Sequence, residues 1–173
     1  MKKILAIILS LIFVLTFAAC GGKDADEGKG DSNNPSASTG EEGYYFTTPN
    51  GVKVEIDVLA KDTLDAIGGN PSYEESTSCA FEGLDKTYGF GGYYITTSPD
   101  GDKDYIYSAW FVDDSVTTAE GIYVGSSKAD VEAAYGAGCI DGDSATLTKG
   151  NTELVIILED DAVVEIQYQA IVD

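Results

Sequence analysis

Residues 121–136 read GIYVGSSKADVEAAYG, and this stretch decides the predicted fold because it places a strand, a turn and a capped helix in succession. Ile122–Val124 is short and apolar, as expected for a buried strand. Ser127 and Asp130 have the spacing of a capping box, which begins a helix. Gly136 ends that helix. The apolar residues between these signals share one helical face: Val131, Ala134 and Tyr135.

The same order of elements is predicted on both sides of this stretch. Downstream, alternation and turn residues predict three strands, at residues 144–148, 153–158 and 163–171. Upstream, the pattern predicts a strand, a short helix and three further strands, at residues 52–58, 62–67, 76–81, 88–97 and 104–112. Residues 44–48 and 52–58 flank Pro49-Asn50-Gly51, a turn signal that predicts a hairpin.

A shift of 68 residues superposes three identical pairs: Asp62 on Asp130, Ala66 on Ala134 and Gly68 on Gly136. The sequence therefore predicts an α+β fold in which two helix-plus-three-stranded antiparallel sheet repeats form one domain after an N-terminal hairpin. The repeats would span residues 52–112 and 120–172, and the domain residues 44–173. The alternative is a chance similarity between two helix–strand units.

This arrangement resembles the repeat of the β-lactamase inhibitor proteins and, more loosely, the outer-membrane lipoproteins that assist barrel assembly. Residues 121–131, continuing to Tyr135-Gly136, carry the resemblance, because they match the G-(I/L)-x-(I/V)-G-x-(S/T)-x-x-(D/E)-V entry to the helix in those domains. Those families bind proteins and are not enzymes, so the resemblance implies a protein-binding module. None of their functional residues matches a position in this chain.

Residues 1–20, MKKILAIILSLIFVLTFAAC, resemble a bacterial lipoprotein signal. The apolar run at 4–17 is too short for a spanning helix, which needs ~20 apolar residues, and fits a signal peptide. Phe17-Ala18-Ala19-Cys20 resembles the lipobox, with Phe where Leu is commonest. The resemblance implies removal of residues 1–19, lipidation of Cys20 and an anchor on the extracytoplasmic face of the bacterial cell membrane. The alternative is an ordinary secretory signal cut near Ala19.

Residues 20–43 begin with this cysteine and continue as a predicted flexible acidic linker, because Gly, Ser, Asn and charged residues dominate them. The full chain has 30 acidic residues against 10 lysines, with no arginine and no histidine. Such a surface disfavours nucleic acid and anionic lipid as partners. The missing histidine excludes Ser-His-Asp and Cys-His catalysis, and no cofactor motif is present.

Cys79 and Cys139 remain after lipidation of Cys20, and an even pair in an exported protein predicts a disulfide. The alternative is two unpaired thiols in separate places. A catalytic cysteine is disfavoured because no histidine is available to activate it.

Alternation along the strand at 104–112 places Tyr105, Tyr107 and Phe111 on one face, and we expect a binding surface there because tyrosine provides rigid amphipathic contact area. The alternative is that tyrosine simply suits strands. Asp100, Asp102 and Asp104 have the initial spacing of a calcium loop, but Tyr105 and Phe111 stand where the glycine and the bidentate glutamate belong. They form a weak calcium candidate, and a solvated hairpin tip is the alternative.

These observations predict a membrane-anchored extracytoplasmic module that is not an enzyme and that binds an envelope or secreted protein. Two alternatives stay open. One is a ligand-sensing or divalent-cation-sensing domain, and the other is a hydrolase that uses paired carboxylates.

Overall fold

The computed structural model describes residues 42–172, of which 49% are in strands and 12% in helices. Two helices are α1 (Ala60–Ile67) and α2 (Lys128–Tyr135). The strands are β1 (Tyr45–Thr47), β2 (Lys53–Glu55), β3 (Ser72–Thr77), β4 (Leu84–Gly89), β5 (Tyr93–Asp100), β6 (Lys103–Phe111), β7 (Thr117–Thr118), β8 (Ile140–Asp141), β9 (Ser144–Lys149), β10 (Thr152–Glu159) and β11 (Ala162–Ala170).

Eight of the strands form one antiparallel sheet in the order β3-β4-β5-β6-β11-β10-β9-β8. The strands β2, β1 and β7 form a separate small sheet in that order. The predicted fold class is therefore wrong: the described chain is mostly β, and it does not consist of two helix-plus-three-stranded repeats. The join lies between β6 and β11, where Phe111 pairs with Ile166 and Ser108 pairs with Gln169, so a single sheet crosses both predicted units.

A glycine turn explains part of this error. The predicted strand at 88–97 is two strands, because the chain reverses at Phe90-Gly91-Gly92 and β4 pairs back on β5. The Phe90 N–H donates to the Tyr93 carbonyl across this turn (2.9 Å), and Gly91 has φ +90°, which favours glycine. β3 also begins four residues before the predicted strand at 76–81, and Ile122–Val124 lies in a turn region instead of a strand.

Other predicted elements are confirmed. The hairpin around Pro49-Asn50-Gly51 forms, with Phe46 opposite Val54. Strands β9, β10 and β11 lie within one residue of their predicted bounds. Helix α2 begins at the predicted capping box, in which the Asp130 N–H donates to Ser127 Oγ (3.2 Å) and the Ser127 N–H donates to Asp130 Oδ2 (3.0 Å).

The core lies on one face of the large sheet, which we call the inner face. The small sheet and both helices supply buried residues to the same cluster, including Phe46, Ala60 and Val131. Phe46 is central: its ring lies 5.0 Å from the ring of Phe111 and 5.5 Å from the ring of Tyr168. The opposite face, which we call the outer face, carries side chains from the alternate residues of each strand.

Candidate functional site

A β-bulge in β6 determines which aromatic residues reach the surface. Thr96 pairs with Ser108 and Thr97 pairs with Ile106, so Tyr107 has no partner residue on β5. Side-chain alternation reverses at the extra residue. Ile106 and Phe111 therefore both point inward, with exposed fractions of 0% and 3%.

The predicted binding face of Tyr105, Tyr107 and Phe111 is therefore wrong as a shared surface. Phe111 belongs to the core, where it packs against Phe46 and Tyr168. Tyr107 is the bulged residue itself and Tyr105 lies on its N-terminal side, and both are half-buried. A bulge leaves no signal in the local residue types, so strict alternation along 104–112 assigned Phe111 to the wrong side.

Sequence reasoning missed a pair of stacked aromatic rings on the outer face. Tyr94 of β5 stands directly opposite Trp110 of β6, and their rings stack with centroids 4.9 Å apart and planes inclined by 12°. We call Tyr94 and Trp110 the aromatic platform. Both are half-buried, and they become neighbours only through the strand register, which the local pattern does not specify.

Hydrogen-bonding side chains surround the aromatic platform. Thr87 and Thr96 share a hydrogen bond of 3.1 Å across β4 and β5, and Gln169 Nε2 donates to Glu153 Oε1 at 2.6 Å across β11 and β10. Register and alternation place the following acids on the same face, against one lysine, Lys103: Glu74, Asp85, Asp100, Glu153 and Glu165. The outer face is thus an acidic polar surface with an aromatic centre.

A cavity lies beside the bulge in β6. β11 pairs with β6 only along residues 108–111. On the N-terminal side of the bulge, β6 pairs instead with the segment after β2. There the Asp57 N–H donates to the Ile106 carbonyl (2.7 Å) and the Ile106 N–H donates to the Val58 carbonyl (2.9 Å). A cavity of 260 Å³, which we call the bulge cavity, lies between this part of β6 and the end of the described chain at Ile171–Val172.

The walls of the bulge cavity are mostly apolar and aromatic. The rings of Phe81 and Tyr107 meet edge to face with centroids 5.6 Å apart, and Tyr105 and Ile171 also line the space. Ile171 and its neighbour Val172 have exposed fractions of 42% and 54%, large for aliphatic side chains.

Three polar side chains also line the bulge cavity: Asp57, Asp100 and Ser98. Asp57 has φ +63°, an unusual value for a residue other than glycine, and one of its carboxylate oxygens accepts a hydrogen bond from the Asn151 side-chain amide. Ser98 is 5% exposed, and its Oγ has no hydrogen-bond partner within the described residues.

No family model, curated protein or solved structure matches this chain. The resemblance to the β-lactamase inhibitor proteins and the barrel-assembly lipoproteins therefore stays a prediction that rests on residues 121–136.

The calcium candidate is not assembled as a metal site. Asp104 Oδ2 accepts a hydrogen bond from Lys86 Nζ (2.7 Å), while Asp100 lines the bulge cavity. Asp102 lines a different cavity, of 570 Å³, beside α1. Among residues 42–172, no three acidic or cysteine side chains are grouped so that they could hold a metal ion.

The predicted disulfide between Cys79 and Cys139 is not formed, since both are free thiols in the structure. Cys79 follows β3 and Cys139 precedes β8, and these are the two outermost strands of the eight-stranded sheet. Neighbouring strands lie about 4.8 Å apart, whereas a disulfide needs Cα atoms within about 7 Å. The sheet order therefore keeps the two thiols apart.

The carboxyl groups give the hydrolase alternative no support. A general acid of that kind needs a carboxyl group with a raised pKa. In the described part of the chain, the carboxyl groups with a clearly shifted pKa have it lowered by hydrogen bonds: Glu42 by Lys53, Asp113 by Ser115 and Asp130 by Ser127.

The predicted signal peptide, Cys20 and the linker up to residue 41 lie outside the described residues. Within residues 42–172, neither helix is long and apolar enough to cross a membrane.

Proposed function

We propose that this chain is a lipid-anchored extracytoplasmic binding module without catalytic activity, and that its outer sheet face binds a protein. The observation that carries the proposal is the stacked Tyr94–Trp110 pair on an acidic polar face. Tryptophan and tyrosine supply much of the binding energy at protein interfaces, because they bury a large area at low cost in conformational entropy.

The charge of the outer face indicates the chemistry of the partner. Acids outnumber lysines there, and the whole chain has a net charge of −20. A partner with lysine or arginine around an apolar or aromatic group would complement both the charge and the aromatic platform. We therefore expect binding to weaken as salt concentration rises, because screening reduces the attraction between opposite charges.

The anchor is tested separately from the binding face. Cys20→Ser removes the acceptor sulfur, so the variant should appear in the soluble fraction while the wild type stays with the membranes. Circular dichroism should show the same folded domain in both proteins. If Cys20→Ser remained in the membrane fraction with its signal processed, the lipoprotein proposal would be wrong.

The binding face is tested with the soluble Cys20→Ser protein as the parent. Envelope proteins of the producing cells are cross-linked to it through a photoreactive group near Trp110, and the captured protein is purified for calorimetry. Trp110→Ala should weaken binding at least about 30-fold, the equivalent of about 2 kcal/mol at an interface hot spot.

Tyr123→Ala is the matched control, because Tyr123 is an aromatic side chain of 42% exposure in the loop between β7 and α2. This variant should bind the purified partner as the parent does. Equal losses in Trp110→Ala and Tyr123→Ala, or no loss in either, would show that the outer face is not the binding surface.

A further inference from the structure

The free edge of β3, which is the first strand of the large sheet, carries a further inference. We propose that this edge binds an extended, basic segment of a partner polypeptide, which joins the large sheet as an added antiparallel strand. The inference goes beyond the proposed function, because a strand can add to the sheet edge whether or not a protein binds the outer face.

The pairing of β3 with β4 determines which backbone groups of β3 are free. The Ser78 N–H donates to the Gly83 carbonyl at 3.0 Å, which continues the β3–β4 register by one residue. Hydrogen-bonded pairs alternate along an antiparallel ladder, so Ser72, Glu74 and Ser76 bond to β4. Among residues 42–172, no backbone partner meets the N–H and C=O groups that point to the edge, those of Tyr73, Glu75 and Thr77.

The edge of β3 is open to solvent and long enough to pair with another strand. All six residues of β3 are exposed, whereas β8, at the other end of the sheet, has only two residues. Proteins commonly protect an edge with a short strand, a bulge, a proline or a lysine. β3 has none of these features, because its register with β4 is continuous and its sequence is SYEEST. The free backbone groups therefore offer hydrogen bonds to an added strand.

The charges beside the edge indicate the chemistry of the added strand. Glu74 and Glu75 lie in the middle of β3 and point to opposite faces of the sheet. Asp85 of the neighbouring β4 adds a further acid, and Lys86 is already bound to Asp104 (2.7 Å). Directly opposite residues of two strands share a face, so two consecutive basic residues would place one cation beside each glutamate.

A second copy of the chain is a poor occupant of the same edge. In antiparallel self-pairing of β3, Glu74 of each copy would stand opposite Glu75 of the other, and like charges in that position destabilise a sheet. Each chain also has a net charge of −20. The glutamates therefore oppose self-pairing, whereas they attract a basic strand.

Tyr73 offers an apolar contact to the residue that follows the basic pair. Its side chain is 53% exposed, and its ring lies 5.3 Å from the ring of Tyr88 on the same face. A β-branched residue opposite Tyr73 would pack on this ring, as cross-strand aromatic pairs do in sheets. We therefore expect a segment with two basic residues followed by a β-branched one.

The test titrates the soluble Cys20→Ser protein with the peptide Val-Thr-Lys-Lys-Val-Thr, acetylated and amidated at its ends. Antiparallel pairing places the two lysines opposite Glu75 and Glu74, and the second valine opposite Tyr73. Binding should be saturable and should weaken as salt concentration rises. Hydrogen exchange followed by NMR reports the edge: the peptide should slow exchange at the amides of Tyr73, Glu75 and Thr77, whereas β4 already protects the alternate amides.

Three control peptides separate strand pairing from charge. N-methylation of the first lysine and the second valine removes N–H groups that face β3, so this peptide should bind at least about tenfold more weakly. N-methylation of the first threonine and the second lysine, whose N–H groups face away from β3, should change affinity less than about threefold. The reversed-charge peptide Val-Thr-Glu-Glu-Val-Thr should bind at least about tenfold more weakly than the basic one.

Two variants at Glu75 make the same separation on the protein. Glu75→Gln keeps the edge N–H and removes a charge, so it should weaken peptide binding by about three- to tenfold. Glu75→Pro also removes the N–H, which β4 does not use, and should weaken binding at least about tenfold further. Edge strands tolerate proline, and circular dichroism should show both variants folded. Trp110→Ala, on the aromatic platform, should bind the peptide as the parent does.

The results that would overturn the proposal are specific to the edge. Equal affinity for the two N-methylated peptides would show attraction by charge without strand pairing, and equal affinity for the reversed-charge peptide would remove the basic partner. Unchanged exchange at Tyr73, Glu75 and Thr77 would place the peptide elsewhere. Slow exchange of these amides without peptide, increasing with protein concentration, would show that a second copy occupies the edge. The outer-face partner is measured separately in Trp110→Ala, so either proposal can fail without the other.

Discussion

At the scale of single residues, Phe46 is the side chain that holds the small sheet to the large one. It belongs to β1, has an exposed fraction of 0%, and packs against Tyr93, Phe111 and Tyr168 of the large sheet. Phe46→Ala should lower the free energy of unfolding by about 3–5 kcal/mol, because truncation of a buried phenylalanine loses apolar burial and leaves a cavity. Urea unfolding followed by circular dichroism measures this loss.

Phe81→Ala is the matched control for this prediction. Phe81 is half-buried in the loop between β3 and β4, and it packs edge to face on Tyr107. Phe81→Ala should lower the free energy of unfolding clearly less than Phe46→Ala does, because the half-buried Phe81 ring removes less apolar area from water. Similar losses in the two variants would contradict the central role assigned to Phe46.

At the scale of elements, the capping box of α2 is the best-defined local interaction. Ser127 Oγ accepts the Asp130 N–H, and the Asp130 carboxylate accepts the Ser127 N–H. Ser127→Ala should lower the free energy of unfolding by about 1 kcal/mol, the usual cost of a lost N-cap. Ser127→Thr keeps the hydroxyl group and should cost less, and a loss as large as in Ser127→Ala would contradict the capping role. Urea unfolding at neutral pH compares the three proteins.

The capping box of α2 also predicts how the free energy of unfolding depends on pH. Hydrogen bonds from the Ser127 hydroxyl group and backbone lower the pKa of Asp130 in the folded protein. The ionised Asp130 carboxylate therefore stabilises the folded protein fully above the ordinary pKa of aspartate, about 3.9. This stabilisation is lost as pH falls through the lower pKa that Asp130 has in the folded protein. The difference in unfolding free energy between wild type and Asp130→Asn should shrink as pH falls through this range. A difference that stayed constant down to strongly acidic pH would contradict the assignment.

The elements also show how far the sequence predicts this fold. Alternation and turn residues predicted β9 to β11 within one residue, and the capping box and Gly136 predicted α2, since each of these signals is local in the chain. The glycine turn after β4 and the bulge at Tyr107 were missed. A bulge adds a residue to one strand without a characteristic residue type, so the face of Tyr105, Tyr107 and Phe111 could not be assigned from alternation alone.

At the scale of the whole molecule, the pairing of β6 with β11 joins two four-stranded halves into one sheet. This contact unites residues 108–111 with residues 166–169, and nothing local in either strand specifies it. The end of β11 and the β5–β6 hairpin, which carries Ser98 and Tyr105, line one cavity. The aromatic platform lies within the β5–β6 hairpin and depends on its strand register, whereas the sequence alone predicted acidic charge, aromatic strands and the anchor.

The buried tyrosines predict how the whole domain responds to alkali. Burial raises the pKa of Tyr93 to about 12, and it also raises the pKa of Tyr168, which has an exposed fraction of 0%. The neutral form of a buried tyrosine therefore stabilises the folded protein fully below the pKa of tyrosine in the unfolded chain, near 10. This stabilisation is lost as pH rises through the higher pKa of the folded state. We therefore expect unfolding between about pH 10 and 12, with tyrosinate absorbance and circular dichroism changing together.

Tyr93→Phe separates this mechanism from general charge repulsion, which the net charge of −20 would also produce in alkali. Because phenylalanine cannot ionise, the variant should unfold at a higher pH than the wild type while it keeps the ring packing against Phe46 and Phe90. An unchanged alkaline midpoint would mean that ionisation of Tyr93 does not drive the transition. Tyrosinate absorbance that rose fully near pH 10 in a folded protein would show that the buried tyrosines are open to water.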